Sequence, residues 1–332
     1  MSHEPNAKRA LITGINGQDG SYLAELLLEK GYEVDGVVRR DAVEDPGHRL
    51  ANLAGVRDRV RLHVGALDNP LSIYKIISSV KPEECYHLAS SSFVSYNFED
   101  EASIVANNFI ATHSLLSTLK EVVPACRVYF AGSSEMFGDA KVAPQNEATP
   151  FNPRSVYGIS KLAAFHLARN YREHHGMFVA AGILYNHESP RRGFQFVTRK
   201  ISSAVAQIKL GLARSLPLGN LEASRDWGYA PDYVKAMYAM LQRPRPADYV
   251  VATGVSHTVR DLLRFAFSAV GLDYEPYVTH DRSYFRPSEA VTLRGDASLA
   301  RRELGWAPSK GFEQVVKEMV ESDLRLLQEV GH

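Results

Sequence analysis

Tyr157 and Lys161 stand four residues apart in the run Ser155-Val156-Tyr157-Gly158-Ile159-Ser160-Lys161. On a helix that spacing puts both side chains on one face, one turn apart. A lysine ammonium beside a phenol favours the phenolate and lowers the tyrosine pKa from its ordinary value of about 10. A phenol poised in that way is a base able to work near neutral pH. Alone, Tyr-x-x-x-Lys is common by chance and fits any solvated helix. Its company gives it weight: a glycine-rich loop near the start of the chain, and Ser133-Ser134-Glu135 about two dozen residues upstream.

These groups need a frame, and the sequence supplies one. Residues 9–13 (Arg-Ala-Leu-Ile-Thr) read as a short buried strand. Gly14-Ile15-Asn16-Gly17-Gln18-Asp19-Gly20 follows, then helical apolar spacing from Ser21 to Lys30, closed by Gly31, then a second strand from Tyr32 to Arg39. Strand, glycine turn, helix and strand are the opening of a doubly wound α/β domain. Gly14 permits the tight turn, Gly17 lets the backbone approach a pyrophosphate, and Gly20 permits close helix packing. The helix N-terminus offers N–H groups and a positive dipole end to phosphate. The spacing is Gly-x-x-Gly-x-x-Gly, not the commoner Gly-x-Gly-x-x-Gly; a plain turn is the alternative. An acidic residue at the end of the second strand holds a ribose 2′-hydroxyl, whereas an arginine there accommodates a 2′-phosphate. Here the strand ends Val37-Val38-Arg39-Arg40, which favours NADP over NAD; Asp41, next in line, argues the other way.

The alternation continues. Strands are expected over 60–64, 84–89, 127–131 and 179–185, and helices over 71–80, 101–122 and 155–176. Strands separated by helices imply a mostly parallel sheet with right-handed crossovers, and ligands beyond the carboxyl ends of its strands. Ser133, Glu135 and Asn186 fall just after strands. Past about residue 190 the pattern loosens around Pro190-Arg191-Arg192-Gly193, Pro217-Leu218-Gly219-Asn220 and Arg286-Pro287. The expected organisation is a Rossmann domain over 1–190 and a smaller substrate-binding lobe over 191–332, with a stretch around 225–254 returning to the main domain.

Composition narrows the classes. The chain has 332 residues, 45% hydrophobic and 23% charged, an ordinary globular profile with length for a large core. Lys+Arg and Asp+Glu are both 38, so formal net charge is zero and neither nucleic acid nor a membrane surface is called for. Cys85 and Cys126 sit in apolar runs and read as reduced core residues of a cytoplasmic protein, neither a disulfide nor a metal pair. The first residues carry no apolar signal region, no stretch reaches the roughly 18 apolar residues of a membrane helix, and no metal site is expected.

Taken together, Gly14-x-x-Gly17-x-x-Gly20, Ser133-Ser134-Glu135, Tyr157-x-x-x-Lys161, Asn186 to Gly193, Phe196 to Lys200, and Leu218 to Leu221 with Arg225-Asp226-Trp227-Gly228 resemble the GDP-mannose 4,6-dehydratase family. That family is a branch of the extended short-chain dehydrogenase/reductases. The likeness runs from Ala10 to about Trp306. The glycine and Tyr/Lys motifs are shared across the superfamily; the stretches 186–193 and 225–228 are more specific to this branch.

The resemblance implies an activity and a set of roles. Tyr157, assisted by Lys161 and Ser133, takes the proton from the sugar O4 while the C4 hydride passes to NADP. The 4-ketone acidifies C5–H, Glu135 removes that proton and helps expel the C6 hydroxyl as water, and hydride returns to C6. It further implies a cofactor held by Gly14, Gly17, Gln18, Asp19, Gly20, Arg39, Leu67, Asp68, Leu88, Tyr157, Lys161, His187 and Arg192. A GDP-sugar would be held by Ser92, Asn186, Arg192, Lys200, Gly219, Arg225, Arg286 and Glu289. Arginines suit a diphosphate because their planar fork gives paired, charge-assisted hydrogen bonds.

Three departures stand out. Ser133 replaces the family's usual threonine. Ala66 replaces the acidic residue that normally meets adenine, with Asp68 the nearby carboxylate. The segment after Arg39-Arg40 is shorter than the family loop that bridges subunits in tetramers, so a homodimer stands beside a homotetramer. The motifs do not distinguish a GDP-hexose from a GDP-heptose. A 4-keto sugar-nucleotide reductase or epimerase would share Tyr157, Lys161 and the glycine loop. A cofactor-sensing protein without catalysis would not need Glu135 beside them.

Overall fold

Strands whose residues are apolar on both faces pair side by side and expose almost nothing. The computed structural model describes residues 7–92, 98–281 and 293–330. The first six strands are β1 (Arg9–Thr13), β2 (Glu33–Val38), β3 (Val60–Val64), β4 (Glu84–His87), β5 (Arg127–Ser133) and β6 (Val179–Leu184). Later come β7 (Asn186–Glu188), β8 (Leu216–Leu218), β9 (Ser224–Tyr229), β10 (Asp248–Val251), β11 (Ser256–Thr258) and β12 (Val278–His280).

Among the described residues, seven strands form one sheet in the order β10-β6-β5-β4-β1-β2-β3, with every neighbouring pair parallel. Each strand sends alternate residues to opposite faces. Ile12, Tyr129 and Leu184 join one core, with Leu23 and Leu27 of the helix Gln18–Glu29 and Tyr233, Met237 and Met240 of the helix Ala230–Leu241. Leu11, Val128 and Ile183 join the other, with Ile73 and Ile77 of Pro70–Val80, Leu115 and Leu119 of Ala111–Val122, and Phe165 and Ala168 of Val156–His175. Strand order reverses between β1 and β4, the point at which such sheets open a crevice for ligands.

Trp227, stacked on Phe312 at 4.8 Å, belongs to a third core built from the helices Val197–Lys209, Val259–Ser268 and Phe312–Val330. Cys85 and Cys126 are buried and free. Among the described residues no helix is long and apolar enough to cross a membrane.

Two elements differ from the sequence expectation. β5 runs on to Ser133, because Gly132 lies close against Gly182 of β6 where a Cβ would come within 2.9 Å of the Gly182 carbonyl oxygen. Ser133 therefore ends a strand rather than following one. The helix expected over 101–122 starts at Phe98 and is interrupted by a wide π turn at Ala106–Ile110. The Asn108 side chain in that turn bonds Ser90, Ser91 and Ser160, partners away from its own helix.

Candidate active site

The crevice is a cavity of about 1160 Å³ at the carboxyl ends of the central strands, and its floor is the glycine loop. Gly14 takes φ +74, a left-handed conformation that glycine adopts without strain. A Cβ on Gly20 would sit 2.2 Å from the Gly14 carbonyl oxygen, so only glycine lets the first helical turn pack onto the loop. The helix begins at Gln18, and Gly17 has no side chain to cap its first amides. Such a cradle of backbone N–H groups fits a pyrophosphate.

The side chains of Gln18 and Asp19 turn to the strand after Tyr185. Gln18 Nε2 donates to the His187 carbonyl at 3.1 Å, and the Ser189 hydroxyl donates to Gln18 Oε1 at 2.8 Å. His187 Nε2 meets Asp19 Oδ2 at 2.8 Å, while its Nδ1 donates to the Tyr185 carbonyl at 2.7 Å. Burial works against both charges here, but each partner outweighs it: Asp19 is held below the ordinary carboxyl range and His187 above the ordinary imidazole range. This ion pair fixes β7 against the mouth of the glycine loop.

The Tyr157 helix is placed with similar economy. Ser155 Oγ accepts from the Gly158 amide at 3.0 Å and starts the helix two residues before Tyr157. A Cβ on Gly158 would lie 2.6 Å from the Glu135 carbonyl oxygen, so this glycine lets the helix press against the Ser134–Met136 turn. Ser133 Oγ accepts from the Glu135 amide at 3.2 Å. Ser133, Glu135, Tyr157 and Lys161 line one cavity: a hydroxyl, a carboxylate, a phenol and an ammonium around a shared space.

Their electrostatics correct one expectation. Lys161 does not hold the phenol below its ordinary range. Burial pushes Tyr157 up to about 12, with Glu135 adding to the rise and Ser133, Arg192 and Ser90 pulling against it. Lys161 is itself pushed down to about 8 by burial, and its Nζ donates to the Ala131 carbonyl at 2.9 Å. In the protein alone, desolvation of the phenolate exceeds any help from the neighbouring cation.

Beneath them lies a buried chain of hydrogen bonds. The Thr112 hydroxyl donates to the Asn108 carbonyl at 2.5 Å, so it accepts from His87 Nε2 at 3.0 Å; His87 Nδ1 then accepts from the Thr13 hydroxyl at 2.8 Å. His87 is neutral there, pushed down to about 3 by burial and by Lys161.

Of the remaining residues expected from the sequence, Arg39, Leu67, Asp68 and Leu88 line the side of the cavity near β2, β3 and β4. Arg39 donates to Asn107 Oδ1 at 3.3 Å. Ser92, Asn186, Arg192 and Arg225 also line the cavity. Arg192 pairs with Glu188 at 3.1 Å and lies 3.5 Å from the Phe196 ring centroid. Lys200 donates to the Pro217 carbonyl at 2.9 Å, and neither it nor Gly219 is among the lining residues. Arg286 and Glu289 lie outside the described residues. Sequence reasoning missed Ser90 and Asn108, which reach the Tyr157 neighbourhood from distant elements, and Arg49, which enters the cavity from a short helix. Asn16, inside the glycine motif, was the one with a local signal. Among the described residues no cluster of three His, Cys, Asp or Glu could hold a metal ion.

Comparison with known proteins places this geometry. The GDP-mannose 4,6 dehydratase family model matches residues 11–319. The chain is 49% identical over 327 residues to GDP-mannose 4,6 dehydratase 1 of Arabidopsis thaliana, covering 96% of this chain and 90% of that one. It is 43% identical to the human GDP-mannose 4,6 dehydratase, covering 96% and 92%. A crystal structure of dTDP-glucose 4,6-dehydratase from Bacillus anthracis in complex with NAD superposes with a TM-score of 0.83 at 20% identity, covering 97% and 98%, a likeness of fold. The chain belongs to the GDP-mannose 4,6-dehydratase family.

Proposed function

We propose that the protein is a lyase that removes water from GDP-mannose, or from a close GDP-hexose or GDP-heptose, to give the 4-keto-6-deoxy sugar nucleotide. The observation that carries this reading is the position of Glu135. It lines the same cavity as Tyr157, Lys161 and Ser133, and it is near enough to raise the phenol's pKa. A reductase or epimerase needs the phenol but has no elimination step for such a carboxylate to serve.

Bound on the glycine cradle, a nicotinamide dinucleotide supplies the acceptor for the C4 hydrogen and its donor to C6. Gly14, Gly17 and Gly20 with the amides of Gln18 and Asp19 would hold its pyrophosphate, and Leu67, Asp68 and Leu88 would meet its adenosine. Arg39 at the end of β2 favours NADP over NAD. His187 and Arg192, which line the same cavity, would complete the cofactor site by resemblance to the family.

Tyr157 deprotonates the sugar O4. With its phenol held at about 12, it acts as a base only when positive charge enters beside it; Arg192 already pulls in that direction. Lys161, at about 8, is mostly an ammonium near pH 7 and is placed to orient the ribose and the phenol together. Ser133 hydrogen-bonds the O4 end. Once C4 is a ketone, Glu135 takes the acidified C5 proton and passes a proton to the departing C6 hydroxyl.

Ser92, Asn186, Arg192 and Arg225 bind the GDP-sugar in the cavity; Lys200, Gly219, Arg286 and Glu289 complete its site by resemblance to the family. The proposal includes residues 191–332 as the main substrate lobe, a homodimer or homotetramer, and a cytoplasmic location in keeping with two free buried cysteines. The test is incubation with GDP-mannose and a trace of NADP, followed by mass spectrometry. Loss of one water without net consumption of NADPH is expected. No loss of water from GDP-mannose, with NADPH consumed stoichiometrically when a 4-keto sugar nucleotide is supplied instead, would make the protein a reductase, and a C4 epimer of unchanged mass an epimerase.

A further inference from the structure

Asp41 adjoins the end of β2 and lines the cavity, where a carboxylate in an NAD binder would accept the ribose 2′-hydroxyl. It is engaged elsewhere. Arg49 Nη1 lies 3.3 Å from Asp41 Oδ2, and Arg49 lines the same cavity with Arg39 and Arg40.

The segment that brings Arg49 there folds back onto the glycine loop. Two short helices, Arg40–Glu44 and Pro46–Arg49, are followed by a turn at Ala51–Leu53. Asn16 Nδ2 donates to the Arg49 carbonyl at 3.0 Å, and Asn52 Nδ2 donates back to the Asn16 carbonyl at 3.1 Å. Leu50 and Leu53 are buried in the sheet's core and anchor the fold-back. The main chain of Arg49 is thus latched to the loop that cradles the phosphates.

We propose that Arg49 is a specificity-determining residue that selects a 2′-phosphorylated cofactor by cancelling Asp41. The inference rests on the reading of this cavity as a nicotinamide dinucleotide site. Three guanidinium groups against the carboxylates of Asp41 and Asp68 leave the β2 end net positive, matched to a phosphate monoester. Without Arg49, Asp41 would be free to accept a 2′-hydroxyl and to repel a 2′-phosphate. The Asp41 and Arg49 side chains are 47% and 58% exposed, so their pair contributes little to folding stability. Its value lies in the charge presented to a ligand.

The experiment measures dissociation constants of NADPH and NADH by cofactor fluorescence for the wild type, Arg49→Ala, Asp41→Asn and the double variant. The wild type is expected to prefer NADPH. Arg49→Ala should lower the preference for NADPH over NADH by about tenfold or more. Asp41→Asn in the Arg49→Ala background should restore part of it, since the unpaired carboxylate is then gone. A wild type that prefers NADH would overturn the NADP reading itself. A wild type that prefers NADPH, with Arg49→Ala weakening both cofactors equally or neither, would overturn the role of Arg49 alone. Failure of Asp41→Asn to recover any preference would overturn the cancellation of Asp41.

Discussion

Replacing Lys161 by methionine should make the protein more stable and inactive at once. Burial lowers Lys161 from 10.5 to about 8. At about 1.4 kcal/mol per pKa unit, holding the ammonium charged near pH 7 costs the folded state roughly 3 kcal/mol. Removing it also removes the hydrogen bond to the Ala131 carbonyl, a loss of about 1 kcal/mol. A methionine of similar length should therefore stabilise the cofactor-free protein by about 2 kcal/mol near pH 7. The sign with pH follows from the same shift. Below about 8 lysine is charged in both folded and unfolded states and the penalty is full. Between about 8 and 10.5 the folded protein has released the proton and the unfolded chain has kept it, so wild-type stability gains across that window. The variant has no such gain, and its advantage should shrink. Urea denaturation of both proteins without cofactor, at about pH 7 and about pH 10, reads the difference directly. A variant less stable than wild type near pH 7, or an advantage that does not change with pH, would show that the buried ammonium is not under strain.

Other substitutions separate the remaining parts. Gly20→Ala places a Cβ 2.2 Å from the Gly14 carbonyl oxygen and 2.6 Å from Ile15 Cα, backbone atoms that cannot step aside. It should cost about 1–3 kcal/mol in thermal unfolding, despite the roughly 1 kcal/mol that alanine gains over glycine in a helix, and should abolish cofactor binding. Unchanged cofactor affinity would sink the cradle. Glu135→Gln should slow water loss at least about a hundredfold while still oxidising C4, so reduced cofactor should build up on adding GDP-mannose. Tyr157→Phe should show neither product nor reduced cofactor. Normal dehydration by the glutamine variant would remove Glu135 from its role, and full activity of the phenylalanine variant would do the same for Tyr157.

Much of this was legible in the chain, because glycine spacing and apolar runs encode backbone geometry locally. Gly14 does take the left-handed turn, Gly20 does touch the loop it was expected to pack on, and the sheet is parallel as alternating strands and helices require. What the sequence could not carry was distance-dependent. Desolvation of Tyr157 depends on how deeply the whole fold buries it, so a motif that says only that a lysine is near gives the wrong direction for its pKa. Arg49 enters the cavity through hydrogen bonds between Asn16, Asn52 and main chain, contacts with no periodic signature. Lys200 closes the Phe196–Lys200 motif, yet its ammonium turns to Pro217, an orientation that only side-chain packing decides.

The central proposal is that water leaves the sugar while hydrogen moves within it from C4 to C6. The most direct test is GDP-mannose carrying deuterium at C4, turned over by the wild-type protein and analysed by NMR. The expected product is the 4-keto-6-deoxy sugar nucleotide with deuterium at C6 and none accumulated in the cofactor. Deuterium left at C4, or collected in a pool of reduced cofactor with no label at C6, would contradict it.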